Sequence, residues 1–180
     1  MIRTNAAHVR RVLGSSKCTT WTTPQGWFDY LNLEFGFTLD PCCEHETAKC
    51  RKHYTPAEDG LARSWQDERV FMNPPYGREL TRWMKKAHQE ARDNGALVVC
   101  FVPARVDTEW WHRYAVKASE IRFPKGRVRG AKHNWPFPLA IVIFRPGKSA
   151  APRPSGVGPP TSCGPAASLR AAQKAVIHVG

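Results

Sequence analysis

The chain is 180 residues long and carries 27 Lys and Arg against 15 Asp and Glu, a formal net charge of +12 with a sequence pI of about 9.8. That length holds one domain with a sizeable core and is short for two, while the excess of cations points to a polyanionic partner, most simply nucleic acid. No charged start runs into an apolar signal-type stretch and no apolar run nears membrane-spanning length, so a soluble, cytoplasmic protein is expected, with reduced thiols at Cys18, Cys42, Cys43, Cys50, Cys100 and Cys163.

In chain order, residues 1–16 read as a basic leader, with Arg3, Arg10 and Arg11 and little apolar periodicity, that orders on DNA or not at all. A domain over residues 17–146 follows. Thr23 stands as an N-cap with Pro24 at the first helical position, and Trp27, Phe28 and Leu31 fall at helical spacing. The free N–H groups of such a helix start suit an anionic group, for instance the carboxylate of an amino-acid-like cofactor; a helix that only packs has no need of one. Phe35 to Cys42 alternates apolar and small residues and predicts a strand whose tip carries Asp40 ahead of Pro41. An acid at that place binds an ammonium or a ribose hydroxyl, or simply forms the turn. Cys42, Cys43, His45, Cys50 and His53 offer zinc-ligand chemistry, but the four residues between the two halves cramp tetrahedral closure, and no metal is expected. A loop rich in turn residues then places a second acid, Asp59, ahead of Gly60, and Trp65 leads into the next strand.

Val70-Phe71-Met72 reads as a buried strand that Asn73-Pro74-Pro75-Tyr76-Gly77 cannot continue, because two prolines fix φ and remove two backbone donors. The result is a stiff bracket at the carboxyl end of a strand, where ligands of open α/β sheets bind. It holds two acceptors outward, the amide oxygen of Asn73 and the carbonyl of Pro74, a pair suited to the two N–H groups of an exocyclic amine. Tyr76 adds a flat face on which a base drawn out of a duplex stacks. Taken without context, the same residues are also an ordinary turn.

Beyond Gly77, Leu80, Trp83, Met84, Ala87 and Ala91 recur at three- and four-residue intervals and predict an amphipathic helix whose other face carries Arg82, Lys85, Lys86 and Arg92. Asn94-Gly95 stops it. Ala96 to Val102 is a continuous apolar run, as expected of a parallel strand covered on both faces, and a further helix begins near Asp107. Glu120 to Phe123 and Leu139 to Phe144 predict the last two strands, an antiparallel pair. The loop between them carries Lys125, Arg127, Arg129 and Lys132, either as phosphate contacts or as a solvated turn. Residues 147–180 turn to Pro, Gly, Ser and Ala with basic but no acidic side chains, and read as a disordered basic tail. Strands alternating with helices, with Asp40, Asp59 and Asn73 at or near strand ends, predict a doubly wound, mostly parallel α/β sheet with a C-terminal antiparallel hairpin.

Trp21-Thr22-Thr23-Pro24, Leu39-Asp40-Pro41-Cys42, Asp59-Gly60-Leu61 with Trp65, Asn73-Pro74-Pro75-Tyr76-Gly77, Val102-Pro103-Ala104-Arg105 with Asp107-Thr108 and Trp110-Trp111, and Lys125-Gly126-Arg127 cover residues 20–145 in one order. In these pieces the sequence resembles the phage-type DNA N6-adenine methyltransferases, which use S-adenosylmethionine on a Rossmann-like methyltransferase sheet. The resemblance implies that Asn73, Pro74, Pro75 and Tyr76 form the catalytic turn around a flipped adenine. It further implies that Thr23 and Pro24 line the methionine end of the cofactor, that Asp40 and Pro41 sit at the cofactor-binding strand tip, and that Asp59 approaches the cofactor adenine. DNA is the implied partner, and the implied source is a phage or prophage in a bacterial cytoplasm. One departure stands out: Cys42-Cys43-Glu44-His45 occupies the place where methyltransferases of the broader fold carry a glycine-rich turn. Two other readings stay open. One is a non-catalytic basic nucleic-acid-binding module; the other is a cytosine N4 methyltransferase, a class that more often carries Ser where Asn73 stands.

Overall fold

The computed structural model describes residues 21–130, 134–147 and 153–157. Helix α1, Gln25–Phe35, buries Trp27, Phe28, Leu31 and Phe35, one stripe at helical spacing, and leaves Leu33 on the opposite face in solvent. Each of those large side chains contributes roughly 1.5–3 kcal/mol by leaving water. Phe35 therefore closes a helix, where the sequence predicted the opening of a strand: it completes the i, i+4 pairing with Leu31. Gly36, left-handed at φ 58°, then donates its N–H to the Asn32 carbonyl and ends the helix.

The strands are β1, Leu39–Asp40; β2, Lys52–His53; β3, Arg69–Met72; β4, Leu97–Pro103; β5, Glu120–Pro124; β6, Leu139–Phe144; and β7, Arg153–Val157. Helix α2, Leu80–Asp93, connects β3 to β4, and the short α3, Glu109–Arg113, lies between β4 and β5. The sheet order is β2-β1-β3-β4-β6-β5-β7. Strands β2, β1, β3 and β4 are parallel, β6 runs antiparallel between β4 and β5, and β7 adds to β5 in parallel. This is the predicted mixed α/β sheet with its antiparallel pair. Arg153–Val157 falls within the tail expected to be disordered and forms an edge strand there. The leader over 1–16 lies outside the described residues.

Successive residues of the central strands face opposite ways, and the two faces are covered by different elements. Val70, Met72, Val98, Cys100 and Val102 meet Leu80, Trp83, Met84 and Ala87 of α2. Phe71, Val99 and Phe101 meet Phe28 and Leu31 of α1 together with Trp135. Burial on both faces explains why β4 reads as an unbroken apolar run. The chain leaves β1 outward to β2 and then returns past β1 to β3, so the direction of winding reverses between β1 and β3. That crevice is the place where open α/β sheets bind ligands. Among the described residues, no helix is long and apolar enough to cross a membrane.

Candidate active site

At the carboxyl ends of β1 and β3 lies a cleft lined by Trp21, Thr22, Thr23, Asp40, Cys42, Cys43, Thr47, Lys49, Phe71 and Asn73. Asp40 is 3% exposed at the tip of β1. Its Oδ1 accepts the Cys42 N–H at 3.4 Å and its Oδ2 the Lys49 N–H at 3.1 Å. Burial pushes the Asp40 carboxyl above its ordinary value, and the Lys49 and Cys42 N–H groups offset part of that rise. These bonds wrap the segment after β1 around the carboxylate, so the strand tip is shaped by backbone donors in the absence of a glycine-rich turn. Pro41 is buried behind it, and a Cβ added at Gly60 would stand 2.0 Å from the Pro41 carbonyl oxygen, which only glycine permits. Trp65, fully buried, donates its Nε1–H to the Gly60 carbonyl at 3.0 Å and clamps that contact from the α2 side.

The other wall is the start of α1. Pro24 is the N-cap and no side chain caps this end; the Trp27 N–H turns back to the Pro24 carbonyl at 3.0 Å, and Trp21, Thr22 and Thr23, just ahead of the helix, line the cleft. Thr23, predicted as the N-cap, is instead buried, and its Oγ1 accepts a hydrogen from the Asn73 side-chain amide at 2.9 Å. The hydroxyl sits one residue too early to reach the helix and close enough to β3 to bind across the crevice. The second amide hydrogen of Asn73 goes to the Trp21 carbonyl. Both donors are thereby committed, which turns Asn73 Oδ1 toward Tyr76, whose hydroxyl donates to it at 2.8 Å and lies 3.0 Å from the Phe101 carbonyl. Burial pushes the Tyr76 phenol well above its ordinary value, so it is a neutral donor and not a base. Pro74 is buried and Pro75 half-buried in the turn between them.

Thr23, Asp40 and Asn73 thus share one cleft, with Pro24, Pro41, Pro74, Pro75 and Tyr76 adjoining in sequence or contact. Asp59 does not line it: this exposed residue takes a left-handed φ of 50° and spends Oδ1 on the Leu61 N–H, one position from the Gly60–Pro41 contact. Lys125, Arg127 and Arg129 are exposed on the loop that leaves β5 at the same edge of the sheet, and Lys132 lies outside the described residues. Three site residues escaped sequence reasoning. Lys49 lines the cleft and bonds Gln25 Oε1 at 2.8 Å through its ammonium. Trp135 and Phe137 stand edge-on to the Tyr76 ring at 6.1 and 5.5 Å and both pack on Trp21. The run Trp135-Pro136-Phe137-Pro138 was the available signal, aromatics spaced by prolines just ahead of a strand.

Of the residues that offered zinc chemistry, His45 and His53 are hydrogen-bonded to each other. His53 donates Nδ1–H to the Arg51 carbonyl at 3.0 Å, which leaves its Nε2 to accept from His45 Nδ1 at 2.8 Å. Cys42, Cys43 and Cys50 are free thiols raised by burial and by the nearby Asp40 carboxylate, Cys50 to about 12. Among the described residues, no three His, Cys, Asp or Glu side chains converge as a ligand set.

The profile of the DNA N-6-adenine-methyltransferase (Dam) family matches residues 13–134. The chain belongs to this family. The match spans both walls of the cleft, from before α1 to the loop ahead of β6. Curated family members similar to the chain include a DNA N-6-adenine-methyltransferase of Haemophilus phage HP1, 30% identical over 103 residues, and one of Escherichia phage T1, 31% identical over 103 residues. Each alignment covers 56% of this chain, which spans only 59% and 42% of those two proteins.

Proposed function

We propose that this chain transfers a methyl group from S-adenosylmethionine to N6 of an adenine flipped out of DNA. The observation that carries the reading is the crevice between β1 and β3, where the buried Asp40 carboxylate, Thr23 just ahead of α1 and Asn73 at the head of its turn line one cleft. The groups present fit such a cofactor: the start of α1, which no side chain caps, suits a carboxylate through its dipole, and Asp40 suits an ammonium or hydroxyl. When bound, S-adenosylmethionine supplies an electrophilic methyl group on a sulfonium. All other roles fall to the chain. Asn73 Oδ1 and the Pro74 carbonyl accept the two N6 hydrogens, favouring a pyramidal amine whose lone pair points into the cleft. The Tyr76 hydroxyl has one proton and two acceptors in reach, so it can turn to the Phe101 carbonyl and leave Asn73 Oδ1 to the incoming amine. The Tyr76 ring, half-buried between Trp135 and Phe137, offers the stacking surface for the base. Lys125, Arg127, Arg129 and Lys132 hold backbone phosphates and contribute affinity without reading sequence.

Calorimetry with S-adenosylmethionine separates this enzyme from a non-catalytic DNA-binding module. The wild-type chain binds the cofactor, and Asp40→Ala weakens binding by about ten- to a hundredfold, the loss expected for a charged hydrogen bond of about 1.5–3 kcal/mol. No binding by the wild type, or equal binding by a folded Asp40→Ala, overturns the assignment.

A further inference from the structure

At the opposite end of the sheet, where β4 begins and Phe144 pairs with Val98, a cavity of about 260 Å³ opens beside the last turns of α2. Its floor is apolar, made of Phe144 and Ala91, each 3% exposed, with the His88 ring edge-on to Phe144 at 5.8 Å. Its rim is cationic, with Arg92 and Lys117 at the mouth, and no acidic side chain lines it. Arg92 is partly engaged with Asp93 through Nε and one terminal nitrogen, while the Arg145 guanidinium turns to the α1 face, 5.7 Å over the Phe35 ring and 3.5 Å from Glu120. Lys117 has no ion pair among the described residues. Burial first, then Lys117 and Arg92, hold the His88 imidazole below its ordinary value, against an opposing contribution from Asp93.

We propose that this cavity is a second ligand site, for a phosphate ester that carries a planar ring. The phosphate sits between Lys117 and Arg92, and the ring lies against His88 above Phe144. A cationic rim over an aromatic floor satisfies both halves of such a ligand, and the volume, just under the usual range of about 300 Å³ upward for ligand pockets, limits it to one nucleotide unit. Its position at the amino edge of the parallel strands separates it from the methyl-transfer cleft, so the proposal does not depend on that chemistry. The phosphate ester has two sources, a free mononucleotide or one unit of a DNA segment reaching past the target.

Binding of thymidine monophosphate, inorganic phosphate and a short DNA duplex is measured on the full chain saturated with S-adenosylmethionine, with Lys117→Glu and the milder Lys117→Gln in parallel. Thymidine lacks an exocyclic amine and so avoids the adenine pocket. The expected result is thymidine monophosphate binding that exceeds phosphate binding, falls at least tenfold in Lys117→Glu and less in Lys117→Gln, and leaves cofactor affinity unchanged. On binding, the His88 imidazole titration moves upward. Lys117-dependent binding confined to the duplex assigns the site to the DNA backbone and upholds it. Loss of cofactor binding together with thymidine monophosphate binding, or failure of every probe to respond to Lys117→Glu, overturns it.

Discussion

Asn73 has no spare hydrogen, and that fixes which of its atoms can serve a substrate. With Nδ2 committed to Trp21 and Thr23, the amide cannot turn over, and Oδ1 stays on the side of Tyr76. On the proposed function, Thr23 acts as a positioning residue for Asn73. Thr23→Val keeps the shape and removes the acceptor, leaving one amide hydrogen unpaired in a half-buried place. It is expected to lower turnover by about five- to thirtyfold, the equivalent of about 1–2 kcal/mol, with little change in cofactor affinity measured by calorimetry. A parallel loss of both would mean that Thr23 serves the cofactor directly. The turn at Asn73 was legible because it depends on its neighbours, two prolines and a tyrosine. The partner that orients it was not, since Thr23 lies 50 residues away in sequence and only the fold brings the two together.

At the scale of elements, the loop after β2 is locked to β1 by backbone contact. Gly60→Ala would drive a methyl group into the Pro41 carbonyl, and the Trp65 clamp on the other side leaves the loop little room to retreat. The variant is expected to lose about 1–3 kcal/mol of stability by overpacking, read by urea unfolding, and to bind cofactor less well because Asp40 moves with Pro41. Unchanged stability would show that the contact is slack. A second lock joins α1 to β5: Arg122, 8% exposed, forms a two-pronged bond to Glu34 at 2.5 and 2.6 Å and also holds Glu120. Burial alone would raise the Glu120 carboxyl, but Arg122 and Arg145 outweigh it and hold it below the ordinary range. A depressed folded-state value stabilises the fold above the ordinary Glu pKa of about 4.3 and loses that contribution as pH falls through it. Glu120→Gln should flatten the fall in unfolding free energy between neutral and acid pH, and a fall as steep as in the wild type would refute the pairing. Helix α2 was readable because its apolar stripe is long and regular. The end of α1 was not, because Phe35 and Phe37 alternate across Gly36 as a strand would, and the left-handed turn at Gly36 is decided by packing on both sides.

Across the whole molecule, charge and cleft coincide. The exposed Lys125, Arg127 and Arg129 stand at the carboxyl edge of the sheet with Asn73, the placement that the proposed function requires if a polyanion drawn by the net charge of +12 is to meet the turn. Topology makes that coincidence: β6 runs antiparallel between β4 and β5, so the chain ahead of it brings Trp135 and Phe137 against Tyr76. The alternation of strands and helices predicted the sheet, while the insertion of β6 beside β4 depends on long-range pairing that no local pattern encodes. The central claim is that the Asn73 turn directs an adenine amine at the cofactor. The most direct test incubates the full chain with labelled S-adenosylmethionine and DNA, analyses the nucleosides, and repeats the measurement with Asn73→Ala. The account predicts N6-methyladenine from the wild type and a loss of at least about 10²-fold in Asn73→Ala with cofactor still bound. Recovery of N4-methylcytosine, or full activity in Asn73→Ala, would contradict it.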